Sequence, residues 1–146
     1  MTPEEIAPFL AGERVVSVAT LGPDGWPHLV PLWYVVLDGD LWASTYAKSQ
    51  KVRNLERDPR ATLLVEAGED YRELRGVMLT ARAEIWRDPE TVLRVRERLF
   101  VKYERPGPID DAARERLRTG SAKRVVIRFR PERVVSWDHR KERGVR

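Results

Sequence analysis

The 146-residue chain has the length of one ordinary domain, and its 42% hydrophobic and 34% charged residues fit a soluble globular fold rather than a disordered one. It contains no cysteine, which excludes disulfides, thiolate nucleophiles and thiolate metal sites. Its net charge of +4 is carried mostly by arginine and spread among acids, so an anionic partner is indicated only where cations cluster locally.

The first residues, MTPEEIAPFL, read as a helix with Thr2 as N-cap, Pro3 at the first helical position and Glu5 as capping-box acid, ending near Gly12. They lack a basic region followed by a long apolar stretch, so a cytoplasmic location is expected. Residues 15–21 read as a strand, Pro23-Asp24-Gly25 as a turn, and residues 28–37 as the returning strand, with Pro31 marking an edge or a bulge. Asp38-Gly39 signals a second tight turn and residues 41–45 a third strand, which predicts a three-stranded meander over 15–45.

Residues 49–57 read as a helix with Val52 and Leu55 on its apolar face, stopped at Asp58-Pro59. A strand over 61–66, a polar loop over 67–75 and a long strand over 77–86 follow. Asp88-Pro89-Glu90 opens a helix to about Tyr103 with Val92, Val95 and Leu99 at helical spacing. After Pro106-Gly107-Pro108 comes a short charged helix, then strands over 124–129 and 133–137 joined at Pro131-Glu132, and a basic tail expected to fray. These elements amount to about six strands, mostly joined by tight turns, so the sheet should be antiparallel, and barrel closure would remove its edges. No repeat or linker divides the chain, and residues 1–146 read as one domain.

The richest segment for chemistry is Ser44-Thr45-Tyr46-Ala47-Lys48-Ser49-Gln50-Lys51-Val52-Arg53-Asn54-Leu55. A strand delivers two hydroxyls, Ser44 and Thr45, to the start of a helix. That start offers unpaired N–H groups and about half a positive charge. Lys48 and Lys51 lie three residues apart, with Arg53 close behind. These groups are expected to converge on one spot fit for a phosphate; the alternative is a solvated basic helix face. In Gly25-Trp26-Pro27-His28-Leu29-Val30-Pro31-Leu32-Trp33, His28, Pro31 and Trp33 could line a pocket for a planar ring, or Trp33 could fill the core. In Ser136-Trp137-Asp138-His139-Arg140-Lys141, Trp137 either borders a cofactor pocket of a partner subunit or caps the core.

Other classes are disfavoured. The two histidines sit in no nucleophile-elbow context. No His/Asp/Glu cluster has metal-ligand spacing, and glycine-rich dinucleotide or phosphate-loop fingerprints are absent. RNA-recognition and helix-turn-helix patterns are missing, which argues against nucleic acid as partner. Redox chemistry in such a chain would come from a bound organic cofactor. No residue stands out as a catalytic acid or base.

The run VATLGPDGWPHLVPLW at residues 18–33, followed by STYAKSQKVRNLERDPRA at 44–61, resembles the pyridoxamine 5′-phosphate oxidase-like FMN-binding split-barrel flavoproteins, and among them the flavin/deazaflavin oxidoreductases that use coenzyme F-420. The resemblance spans residues 6–138. It implies a mainly β, α+β fold: an antiparallel split β-barrel that forms a homodimer with FMN or coenzyme F-420 at the subunit interface. It places the cofactor's phosphate near Lys48, Lys51, Arg53 and Asn54, with Ser44 and Thr45 close by, and the ring against Val30, Pro31, Leu32 and Trp33. Trp137 near the ring completes the expected cofactor-binding set. The expected activity is hydride transfer with a small electron-poor acceptor; a non-catalytic cofactor carrier is the alternative. The chain lacks, in recognisable form, the C-terminal arginine-and-histidine substrate segment of true pyridoxamine phosphate oxidases, which argues against vitamin B6 as substrate.

Overall fold

The structure, a computed structural model, describes residues 1–142. Helix α1 (Pro3–Gly12) starts as its sequence dictates: the Glu5 carboxylate accepts the Thr2 N–H at 3.0 Å. The remaining elements in chain order are β1 (Val16–Leu21), β2 (Pro27–Leu32), β3 (Val35–Leu37), β4 (Asp40–Tyr46), α2 (Gln50–Arg57), β5 (Arg60–Ala67), β6 (Arg75–Trp86), α3 (Pro89–Tyr103), α4 (Asp111–Gly120) and β7 (Arg124–Asp138). Short 3₁₀ turns cover Tyr71–Glu73, inside the expected loop, and His139–Glu142. In the expected tail, Lys141 reaches back to Glu5 at 2.7 Å, and residues 143–146 lie outside the described set.

The seven strands form one antiparallel sheet in the order β2-β1-β5-β6-β7-β4-β3, curled into a split barrel. The expected meander over 15–45 does not form. The run 28–37 divides at Trp33-Tyr34: β2 pairs with β1, whereas β3 pairs with β4 at the opposite edge. Backbone groups at this break must find partners outside the ladder. They find them on α3: the Tyr34 N–H donates to Tyr103 Oη at 3.0 Å, and Tyr34 O accepts from Tyr103 Oη at 2.9 Å and Lys102 Nζ at 3.0 Å. The fully buried Tyr34 ring then crosses the core, and its hydroxyl donates to Leu10 O on α1.

The two strands expected over 124–137 are one, β7, of 15 residues. Thr80 faces Arg133 and Ala81 faces Pro131, so Glu132 is the extra residue of a bulge rather than the centre of a turn. A bulge keeps the ladder while absorbing a proline that cannot donate to it. The interior is built by period-two alternation: Val16 and Val18 from β1, Leu63 and Val65 from β5, Val77 and Leu79 from β6, and Ile127 and Phe129 from β7 pack together. Burying each such side chain contributes about 1.5–3 kcal/mol. A smaller cluster of Val35, Val92, Val95 and Val126 fixes α3 on the outer face of β3, β4 and β7. The outer face of β2 is left uncovered, with Leu29 67% exposed, and Trp33, at the break just beyond it, is 52% exposed.

Candidate functional site

The helix start that the sequence singled out is formed at the end of β4. Ser49 caps α2 without a side-chain hydrogen bond to the helix, and no acid lies in its first turn. Thr45, only 4% exposed, accepts a hydrogen bond from Lys51 Nζ at 2.8 Å, and its hydroxyl lies 3.5 Å from Ser49 Oγ. Burial, with Arg124 nearby as a lesser cause, holds the Lys51 ammonium below its usual pKa. Lys48 and Arg53 are exposed. Several acids elsewhere in the chain are drawn into ion pairs, such as Arg128–Asp40 at 2.7 Å and Arg114–Glu97 at 2.8 Å. Lys48, Lys51 and Arg53 have no carboxylate within ion-pair distance among the described residues. Uncompensated cations at a helix N-terminus favour an anion.

Not every residue of the segment faces this spot. Asn54 is fully buried: its Nδ2 donates to Thr20 Oγ1 at 3.0 Å, and its Oδ1 accepts from Gln50 Nε2 at 2.8 Å. It pins α2 to β1, beneath the cradle. Arg57 is likewise occupied, donating to Leu21 O and Asn54 Oδ1. Ser44 and Thr45 do not converge, because adjacent strand residues point to opposite faces. Thr45 faces α2, whereas Ser44 lines a cavity of about 150 Å³ on the outer side, with Trp33 and α3. Its hydroxyl is buried without a hydrogen-bond partner, a condition that costs about 1–3 kcal/mol when nothing answers it.

The β2 residues divide in the same way. Val30 and Leu32 lean inward with His28, and Leu32 packs on the core. Pro31 and Trp33 face outward. Trp33 stacks on Tyr103 with ring centroids 4.4 Å apart and planes 5° from parallel. It neither fills the barrel nor shares a face with His28. Trp137 lies at the far end of β7, 13 residues from the Arg124–Tyr46 pairing, which is roughly 40 Å along a strand. Its ring covers Gly76 on β6. Within one subunit it is therefore remote from Lys51.

Three contributors carry no local sequence signal. Tyr103 supports Trp33 from the end of α3. Arg124 opens β7 and lies over the Tyr46 ring at 4.1 Å. Arg96, on α3, is half-buried, and burial followed by repulsion from Arg124 lowers its guanidinium pKa. Arg124 and Arg96 continue the positive charge of Lys51 around the end of β4. Among the described residues no group of acids and histidines could hold a metal ion, and no helix is long and apolar enough to cross a membrane.

The split barrel and the cationic start of α2 are the features against which known proteins are compared. The family model described as pyridoxamine 5′-phosphate oxidase matches residues 2–138, and the chain belongs to that family. Among solved structures, the conserved hypothetical protein Rv2991 from Mycobacterium tuberculosis is 43% identical, with a TM-score of 0.92 over 100% of this chain and 89% of its own. An "F420 Reductase" is 24% identical, with a TM-score of 0.70 over 92% of this chain and 98% of its own. An FAD-binding protein from Mesorhizobium loti is 23% identical, with a TM-score of 0.69 over 93% and 94%. The last two likenesses establish the shared fold. No curated protein matches the chain.

Proposed function

We propose that the protein is an oxidoreductase that holds coenzyme F-420 or FMN between two subunits and exchanges hydride between that cofactor and a small electron-poor organic acceptor. The observation that carries this reading is the cation group at the start of α2, where Lys51 Nζ is anchored on Thr45 with no carboxylate within ion-pair distance among the described residues. Membership of the oxidase family supports it, as do fold neighbours whose names specify F420 and FAD.

The residues fit a phosphate-bearing cofactor. Lys51 donates one proton to Thr45 and has two more to offer; Lys48, Arg53 and the free N–H groups of α2 add charge and donors. A bound flavin or deazaflavin supplies the hydride chemistry at its ring. The chain's own residues fix the tail, orient the ring and exclude water. Strand β2 is an edge within one chain, so its outward backbone groups are open to the polar rim of a planar ring, and Pro31 and Trp33 give that wall an apolar surface. Pairing of two copies would cover Leu29 and Trp33. Arg57, at the end of the same helix, is turned back onto Leu21 and Asn54, so the cations offered to the tail of FMN or F-420 are Lys48, Lys51 and Arg53.

Separate titrations with FMN and F-420, read by tryptophan fluorescence and native mass spectrometry, test the proposal. Saturable binding of one cofactor per subunit in a dimer is expected. Failure of both to bind would overturn it, and binding without turnover on a panel of quinones and enones would reassign the protein as a carrier.

A further inference from the structure

The cavity between β4, α3 and α4 is not used by the phosphate cradle. Ser44 Oγ lies in its wall, buried and without a partner. Two guanidiniums line it, and neither has a carboxylate within ion-pair distance among the described residues. Arg96 is held in place: its Nη1 donates to Leu117 O at 2.8 Å and to Ser121 Oγ at 2.7 Å, and Gly120 at the end of α4 leaves room for it, since a Cβ there would stand 3.2 Å from Nη1. The Nε and Nη2 donors of Arg96 make no hydrogen bond among the described residues. Arg124, lying over Tyr46, supplies the second charge. Leu99, Phe100 and Leu117 make the rest of the wall apolar, and Trp33 stands at the same cavity as on the outward face of β2.

We propose that this cavity is the substrate's anchoring subsite and takes the carboxylate of a small organic monoanion, whose apolar body lies against Leu99, Phe100 and Leu117. Glu104 also lines the cavity. Two guanidiniums and one carboxylate leave a single positive charge in excess, which complements a monoanion better than a phosphate or a polyanionic tail. A cavity of about 150 Å³ has the size that accommodates a benzene ring when its walls are apolar. A carboxylate matches a guanidinium fork in two hydrogen bonds and keeps lone pairs free to accept from a hydroxyl such as Ser44's. This deepens the oxidoreductase reading and rests on it: Trp33 borders both the anchored acid and the wall assigned to the ring.

The probes are benzoate and hexanoate, with benzamide as the neutral counterpart of benzoate. They are titrated into the full-length protein while the Trp33 indole N–H is followed by NMR, its signal assigned with Trp33→Phe. Saturable shifts with the two acids are expected, with benzamide at least ~10-fold weaker. Arg124→Gln should weaken benzoate by ~10-fold or more, and Ser44→Ala, which removes one buried oxygen and is expected to keep the fold, by a few-fold. In the same samples, Lys48→Gln with Arg53→Gln should weaken FMN or F-420 but leave benzoate unchanged, so that failure of the anchoring subsite and failure of the cofactor reading are told apart. Equal binding of benzamide and benzoate, no effect of Arg124→Gln, no saturable shift with either acid, or displacement of benzoate by the bound cofactor would each overturn the assignment.

Discussion

Asn54 Nδ2 donates to Thr20 Oγ1 at 3.0 Å with both residues buried, and this buried contact helps tie the helix that carries the proposed phosphate cradle to the strand beneath it. Position in the chain does not reveal the pair, which is 34 residues apart. The helix depends on such tertiary contacts, because α2 has just eight residues and cannot hold its own shape by helix propensity.

Asn54→Ala is therefore expected to destabilise the fold by about 1–3 kcal/mol, since it leaves the Thr20 hydroxyl buried without its partner. Urea denaturation measures this. Thr20→Val together with Asn54→Leu removes both polar groups and should cost less than Asn54→Ala combined with native Thr20.

Gly76 and Trp137 give a second test. A Cβ at position 76 would stand 2.5 Å from the Trp137 ring, and the ring, not the backbone, is what must move. Gly76→Ala should displace Trp137, change the tryptophan emission and lower stability by about 1–3 kcal/mol, as overpacking does. If Trp137 meets a partner subunit, dimer affinity falls with it, which sedimentation would register.

How much of this was legible in the sequence depends on whether a signal was local. Thr2 with Glu5 and Asp88 with Pro89 mark helix starts that form where their caps predict; the Thr91 N–H donates to Asp88 at 3.1 Å. Period-two alternation already separates Ser44 from Thr45, so the division of that pair between two faces is also written locally. The fate of residues 28–37 is not. Trp33-Tyr34 can leave the ladder only because Tyr103 and Lys102, almost 70 residues on, satisfy the Tyr34 backbone. Likewise Pro131-Glu132 has the composition of a turn, and only its pairing with β6 makes it a bulge. Arg96 and Arg124 acquire meaning from where α3 and β7 bring them, since arginine is everywhere in this chain.

Lys102 gives the pH dependence. Burial, with Arg14 a lesser cause, lowers its ammonium from 10.5 to about 8. Between those values the unfolded chain retains a proton that the folded chain has shed, so stability rises with pH across that window. Below the folded value both states are protonated and the contribution is flat. Tyr34 and Tyr103, whose hydroxyls burial keeps protonated, act in the opposite sense once unfolded tyrosines ionise near 10. Solvent damps the effect, because the group is only half-buried. A small rise in melting temperature is expected from about pH 8 to about pH 9.5, and Lys102→Met should abolish it. The variant should fold, since Tyr34 O keeps its hydrogen bond from Tyr103.

The central claim is that the start of α2 holds the cofactor's phosphate, and the dissociation constant of the Lys48→Gln, Lys51→Gln double variant tests it most directly. Each lost charge-assisted contact is worth about 1.5–3 kcal/mol, so affinity for whichever of FMN or F-420 binds should fall by ~100-fold or more, with the melting temperature of the cofactor-free protein nearly unchanged. An affinity equal to that of the native chain would contradict the account.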